Sequence, residues 1–175
     1  MEINIQQKKD RAVNILHTAT DLLELDKFDI KFKKIEKDYV MEYKSMENII
    51  FINEDILEVN TNELQLGLLI NFFQQYYFEK EMSKDTGLDQ LDYVFQYSSD
   101  QAIAYAIYIM SFITDEDYYK LFEQNDEFGN IKKLLTHFND TTDKTKVIAN
   151  LQKNNINSDI INEILNKMQK NKNVN

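Results

Sequence analysis

The sequence contains no cysteine, which excludes a disulfide, a thiolate nucleophile and a cysteine-held zinc or iron–sulfur centre. It contains no proline and only 3 glycines, so little in it interrupts a helix and long helical stretches are expected. No apolar run approaches the roughly 20 residues of a membrane-spanning helix, so a membrane protein is not predicted. The opening MEINIQQKKD has basic residues but no apolar segment behind them, so no secretory leader is predicted and a cytoplasmic location is the simplest expectation. Positive charge is also short: 20 Lys and Arg stand against 30 Asp and Glu, a formal net charge of −10. Such a chain repels a phosphate backbone, and direct nucleic-acid binding is not expected. The imbalance is uneven, because Asp140 to Asn175 carries a net +2 and the first 139 residues carry −12. An acidic surface of this kind suits a basic protein partner, whose approach it accelerates.

What is present is a globular composition, 43% hydrophobic and 29% charged over 175 residues, enough for one core. From Ile3 to Leu25, the residues Ala12, Val13, Leu16, Ala19, Leu22 and Leu23 recur at helical spacing and predict a first helix with one apolar face. FDIKFKK, DYVMEYK and NIIFIN then predict three strands of a small antiparallel sheet, with turns at Glu36-Lys37-Asp38 and at Lys44 to Glu47. A long helix is predicted from Asn62, as N-cap with Gln65 at the capping-box position, to Met82, with Leu64, Leu68, Asn71, Gln75, Phe78 and Met82 on one face. Lys84 to Gln90, with Gly87, breaks the pattern, and a helix resumes from Ser98 to Ile113. Shorter helices are predicted at Asp115 to Phe122 and Asn130 to Phe138. Asp143 to Lys153 and Ser158 to Lys170 form a C-terminal hairpin with a stripe of Ile160, Ile161, Ile164, Leu165 and Met168. The fold class is therefore α+β, with residues 1–139 as the main domain. Residues 140–175 add a helical hairpin packed on it and a polar tail from Asn171.

The sequence offers no glycine-rich phosphate loop, nucleophile elbow or histidine triad; His17 and His137 fall on different predicted helices. The carboxylates at Asp115, Glu116, Asp117, Asp126 and Glu127 lack the spacing of a calcium loop and read as solvated surface. Phe72, Phe73, Tyr76, Tyr77 and Phe78 read as core packing.

The informative feature is the order of elements: a helix, a small sheet ending in IIFIN, a helix carrying LLINFFQQYYF, and a helix carrying QYSSDQAIAYAIYIM. Over Leu22 to Met110 this order resembles the compact zinc metallopeptidase-like proteins of bacteria and their phages, with Ala102, Ala104, Tyr105, Ala106, Tyr108 and Met110 matching the second of the two helical segments. In that family the first helix carries HExxH. Residues i and i+4 share a helix face, so two imidazoles can hold zinc while the glutamate activates a metal-bound water. At the positions the resemblance assigns, this chain has Asn71 and Gln75 for the histidines, Phe72 for the glutamate, Ser99 for the glutamate of the second helix and Gln101 for the acidic position after it. Amides are poor zinc ligands beside imidazole and a phenyl ring takes no proton. The resemblance therefore implies an inactive, metal-free pseudoenzyme with a zincin-like core and no cofactor, in which Asn71, Gln75 and Ser99 meet and hydrogen-bond where the metal would sit.

The function this implies is protein binding, with the strand Ile49, Ile50, Phe51, Ile52 and Asn53 as an edge on which an extended peptide adds a further strand. The occurrence of such proteins in phages and mobile elements extends this to a regulator or inhibitor of a host system such as a defence nuclease. Two other classes stay open: a hydrolase using Asp100 with Asp92 or Asp115, and a structural or oligomerisation protein acting through the C-terminal hairpin. The oligomeric state is not legible.

Overall fold

The computed structural model describes residues 4–36, 38–84, 90–123 and 129–174. Helix α1 (Ile5–Leu22) begins at Asn4, whose side chain accepts from the Gln7 amide at 2.8 Å while the Gln7 side chain accepts from the Asn4 amide at 3.0 Å. Two of the donors a helix start leaves unpaired are thus satisfied reciprocally. Ala12, Ile15, Leu16, Ala19 and Leu22 form its buried stripe.

The strands are β1 (Asp29–Lys33), β2 (Met41–Lys44) and β3 (Ile49–Asn53), in the order β1-β3-β2. β3 runs parallel to β1 and antiparallel to β2, so the sheet is mixed, not antiparallel as the sequence order led us to expect. The most apolar strand takes the centre. Ile50 and Ile52 are fully buried against the helices, and Phe51 on the opposite face lies under the Lys33 ammonium at 3.8 Å. The flanking strands carry Lys31, Lys33, Glu42 and Lys44, the charged residues that protect a sheet edge from unwanted pairing. With partners on both sides, Ile49, Ile50, Phe51, Ile52 and Asn53 offer no open backbone edge, which corrects the edge-strand assignment; the edges are β1 and β2. The β2–β3 turn contains no glycine because Asn48 takes the left-handed conformation, φ 53°.

Helix α2 (Thr61–Met82) is capped by Asn60, not Asn62: the Asn60 side chain accepts from the Glu63 amide at 2.9 Å, and Gln65 is buried instead of capping. α1, β2 and α3 (Leu91–Met110) all pack on α2, which explains why it is apolar around most of its circumference. α3 starts at Leu91, seven residues ahead of the predicted Ser98. Of the Lys84 to Gln90 break, residues 85–89, including Gly87, lie outside the described residues, as do Lys37, Asp126 and Glu127. In place of a helix from Asp115 to Phe122 there is a single 3-10 turn, Tyr118–Leu121. Helix α4 (Gly129–Thr141) covers α3, with the Phe138 and Tyr105 rings stacked at 4.8 Å.

Helix α5 (Lys144–Lys153) packs on α1, and α6 (Asp159–Val174) follows. Val147, Ile148, Leu151, Ile156 and Ile161 join the same hydrophobic core as α1 to α3. The Ser158 hydroxyl donates to the Phe112 carbonyl and accepts from the Ile161 amide, tying the start of α6 to the end of α3. α6 stays helical to Val174, with 171–174 exposed.

Candidate functional site

The positions assigned to the degenerate metal site lie on α2 and α3, and the fold uses each of them differently. Asn71 is half-buried and its amide donates to the Gly67 carbonyl one turn earlier at 2.8 Å. Phe72 is fully buried, with ring contacts to Tyr43 at 5.3 Å, Phe73 at 5.7 Å and Phe28 at 6.4 Å. Gln75 faces the sheet and lines a cavity of about 460 Å³ with Tyr39, Met41, Glu42 and Tyr43, alongside the edge strand β2. Ser99 does bond into α2, but to the neighbouring residue: Gln74 donates to its hydroxyl at 2.9 Å. Gln101 donates along its own helix to the Tyr97 hydroxyl at 3.3 Å. None of Asn71, Gln75 and Ser99 hydrogen-bonds to another of the three. Among the described residues no group of three or more His, Asp or Glu side chains is placed to hold a metal ion. His17 sits on α1, where burial, and then the Lys27 ammonium, holds its imidazole below its usual pKa.

A different surface gathers unusual features. In the first two turns of α3, Leu91, Tyr93, Phe95 and Tyr97 recur at every second residue. On a strand that spacing would place them on one face, but on a helix successive members are rotated by about 200°, so they cannot all reach one core. Tyr93 is 70% exposed and Phe95 55% exposed. Tyr93 and Tyr97, one turn apart, stack with ring centroids 6.3 Å apart and an interplanar angle of 19°. Phe95 turns the other way and meets Phe78 of α2 edge-on at 6.5 Å.

Behind the tyrosines, a cavity of about 380 Å³ opens between α3 and α4, bordered by Tyr93, Gln96, Tyr97, Asp100, Asn130 and Lys133. Asp100 is 2% exposed, and Gln96 donates to its carboxylate at 3.0 Å. Burial raises the Asp100 pKa, and the hydrogen bonds from Gln96 and Asn130 oppose the rise only in part. Asp92 and Asp115, the partners considered for it from sequence, make no contact with it: Asp92 is two helical turns away on α3 and Asp115 lies beyond the helix end.

A third cavity, of about 490 Å³, lies where the Tyr118–Leu121 turn crosses α2. Glu63, Glu116 and Asp117 stand on its walls and Leu66, Gly67 and Ile70 of α2 form its floor. No helix of the described residues is long and apolar enough to cross a membrane. No protein-family model, curated protein or solved structure matches the chain.

Proposed function

We propose that this chain is a non-catalytic binding protein that docks a protein partner, preferentially a basic one, on the first two turns of α3. The observation that carries the reading is the exposure of three aromatic rings there: Tyr93 stacks on Tyr97 on one side of the helix, and Phe95 stands out on the other. Aromatic side chains bring large contact area at low entropic cost and dominate the energetic centres of protein interfaces, whereas leaving them in water has no folding benefit. Large aromatic rings exposed together at one end of a helix mark an interaction surface. The charge of −10 and the carboxylate-walled cavity beside Tyr118 set the sign of the preferred partner.

The metallopeptidase-like ancestry is the scaffold half of this proposal. It is supported by Asn71 and Gln75 one turn apart on α2, by α3 lying alongside with Ser99 bonded to Gln74, and by a sheet whose strand β2 borders the Gln75 cavity. Phe72, enclosed by three rings, has no means of moving a proton there. A regulator or inhibitor of a host system is one form such a binding protein takes.

The test places a photo-crosslinking phenylalanine analogue at Phe95 and, as a control, at Met46, 98% exposed in the β2–β3 turn. A discrete heavier adduct from position 95 that position 46 does not give, and that Tyr93→Ser removes, is the expected result. Adducts common to both positions, or none, would sink the proposal; an adduct of twice the chain's mass would replace a partner with self-association.

A further inference from the structure

Gly67 stands in the middle of α2, on which α1, β2 and α3 pack, where glycine costs roughly 1 kcal/mol relative to alanine. Neither of the usual reasons for a helical glycine applies. Its φ is not positive, and a Cβ built at this position would meet nothing within 4 Å, so no neighbour demands the space. The vacant volume belongs to the cavity whose floor is Leu66, Gly67 and Ile70.

The walls of that cavity are anionic and poorly neutralised. Among the described residues the Glu63 carboxylate has no hydrogen-bond or ion-pair partner, although its backbone amide is capped by Asn60. The Glu116 carboxylate has no cation beside it among the described residues and accepts from the neutral amide of Asn62 at 3.3 Å. Asp117 faces Lys120 at 3.8 Å, an exposed pair that salt screens. Between them lies Tyr118, 6% exposed, whose hydroxyl is buried and makes no well-formed hydrogen bond among the described residues, even to the Glu116 carboxylate beside it. Burial and then the adjoining Glu116 carboxylate hold that phenol above its ordinary pKa, so it stays a neutral donor and acceptor. An orphaned polar group of this kind costs stability unless something completes it.

We propose that this cavity receives the side chain of a lysine from the protein partner. The methylene stem lies along Leu66, Gly67 and Ile70, where a residue larger than glycine would collide with it, and the ammonium is held by Glu63, Glu116 and the Tyr118 hydroxyl. A lysine fits this combination because its charge is a compact point at the end of a flexible apolar stem, with three donors for three acceptors. The inference rests on the reading of the chain as a protein-binding module, and it names the chemistry that the partner brings.

The experiment titrates the full chain, observed by amide NMR, with N-acetyl-lysine methylamide, with the uncharged isostere N-acetyl-norleucine methylamide, and with putrescine. The lysine probe is expected to give saturable shifts at the amides of Gly67, Glu116, Asp117 and Tyr118, and the norleucine probe none. Gly67→Leu, which fills the floor while improving helix propensity, is expected to raise the melting temperature and weaken the lysine probe at least about tenfold. Glu63→Gln is expected to weaken it similarly, as loss of a charge-assisted contact does. Absence of saturable shifts, equal response to norleucine, or unaltered binding in Gly67→Leu would overturn the inference. Putrescine binding more tightly than the lysine probe would also overturn it, by assigning the cavity to a free polyamine. Because the probe needs no partner, its failure leaves the Phe95 crosslink standing, and loss of that crosslink leaves the probe result standing.

Discussion

Replacing Phe72 tests whether the position that the resemblance assigns to a catalytic glutamate has access to a reacting group or belongs to the core. Its side chain is fully buried and touches Phe28, Tyr43 and Phe73 through ring contacts of 5.3 to 6.4 Å. A buried phenylalanine removes roughly 200 Å² from water, worth about 5 kcal/mol as an upper bound at 25 cal/mol per Å². Measured Phe→Ala costs of about 3–5 kcal/mol agree with that scale. Phe72→Ala is therefore expected to cost about 4 kcal/mol, a fall in melting temperature of roughly 8–16 °C for a chain of this size. Phe72→Glu, which places the glutamate of HExxH at this position, adds the burden of a carboxyl group with no partner, about 1–3 kcal/mol more. The sum approaches the total stability of an ordinary domain, about 5–15 kcal/mol, and a large unfolded fraction is expected at 37 °C. Asn71→His combined with Gln75→His, at half-buried positions, is expected to cost under about 1 kcal/mol per site. Thermal and urea denaturation followed by circular dichroism measure all three. A Phe72→Glu protein that melts within a few degrees of the native chain would refute the core assignment.

Three further outcomes follow from particular contacts. The Lys8 ammonium donates to the carbonyls of Leu57 at 2.9 Å and Val59 at 2.8 Å, fastening α1 to the segment before α2; Lys8→Met is expected to destabilise by about 1–2 kcal/mol in urea titration, and an unchanged midpoint would show that those carbonyls are as well served by water. Because the Asp100 pKa is raised in the fold, the unfolded chain releases its proton first as pH rises, so this residue's contribution falls from about pH 4 upward through its folded pKa. Asp100→Asn should therefore gain stability relative to the native chain between acid and neutral pH, and parallel stability curves would contradict the assigned burial. Truncation at Asp140 removes Val147, Ile148, Leu151, Ile156 and Ile161 from the shared core, so it should abolish cooperative unfolding; a truncated chain that folds and loses only self-association would make the hairpin an interface instead.

How much of this was readable in the sequence depends on which interaction fixed each feature. The α1 stripe, the α2 span and the β3 apolar run follow from side-chain periodicity, which is local, and they lie close to where spacing placed them. Strand order is not local. Nothing in FDIKFKK or DYVMEYK states which strand sits in the middle; that is settled by burial of Ile50 and Ile52 on one face and shielding of Phe51 by Lys33 on the other, both of which require a neighbour on each side. The edge-strand assignment failed for that reason. The expected meeting of Asn71, Gln75 and Ser99 depends on helix rotation: the residue that reaches Ser99 is Gln74, about 100° around the helix from Gln75, and that rotation turns Gln75 toward β2. The α3 aromatics were missed because a period of two in a helix carries no amphipathic signal. That mismatch, an apolar residue at every second position of a segment that is nonetheless helical, is the clue that was available, since it leaves Tyr93 and Phe95 without a core to enter. Gly67 was equally visible as one of only 3 glycines, but its meaning required knowing that the space beside it is empty. Helix geometry could therefore be read from the chain itself, whereas both proposed binding features consist of what the helices leave uncovered, and that is determined only once all of them have packed.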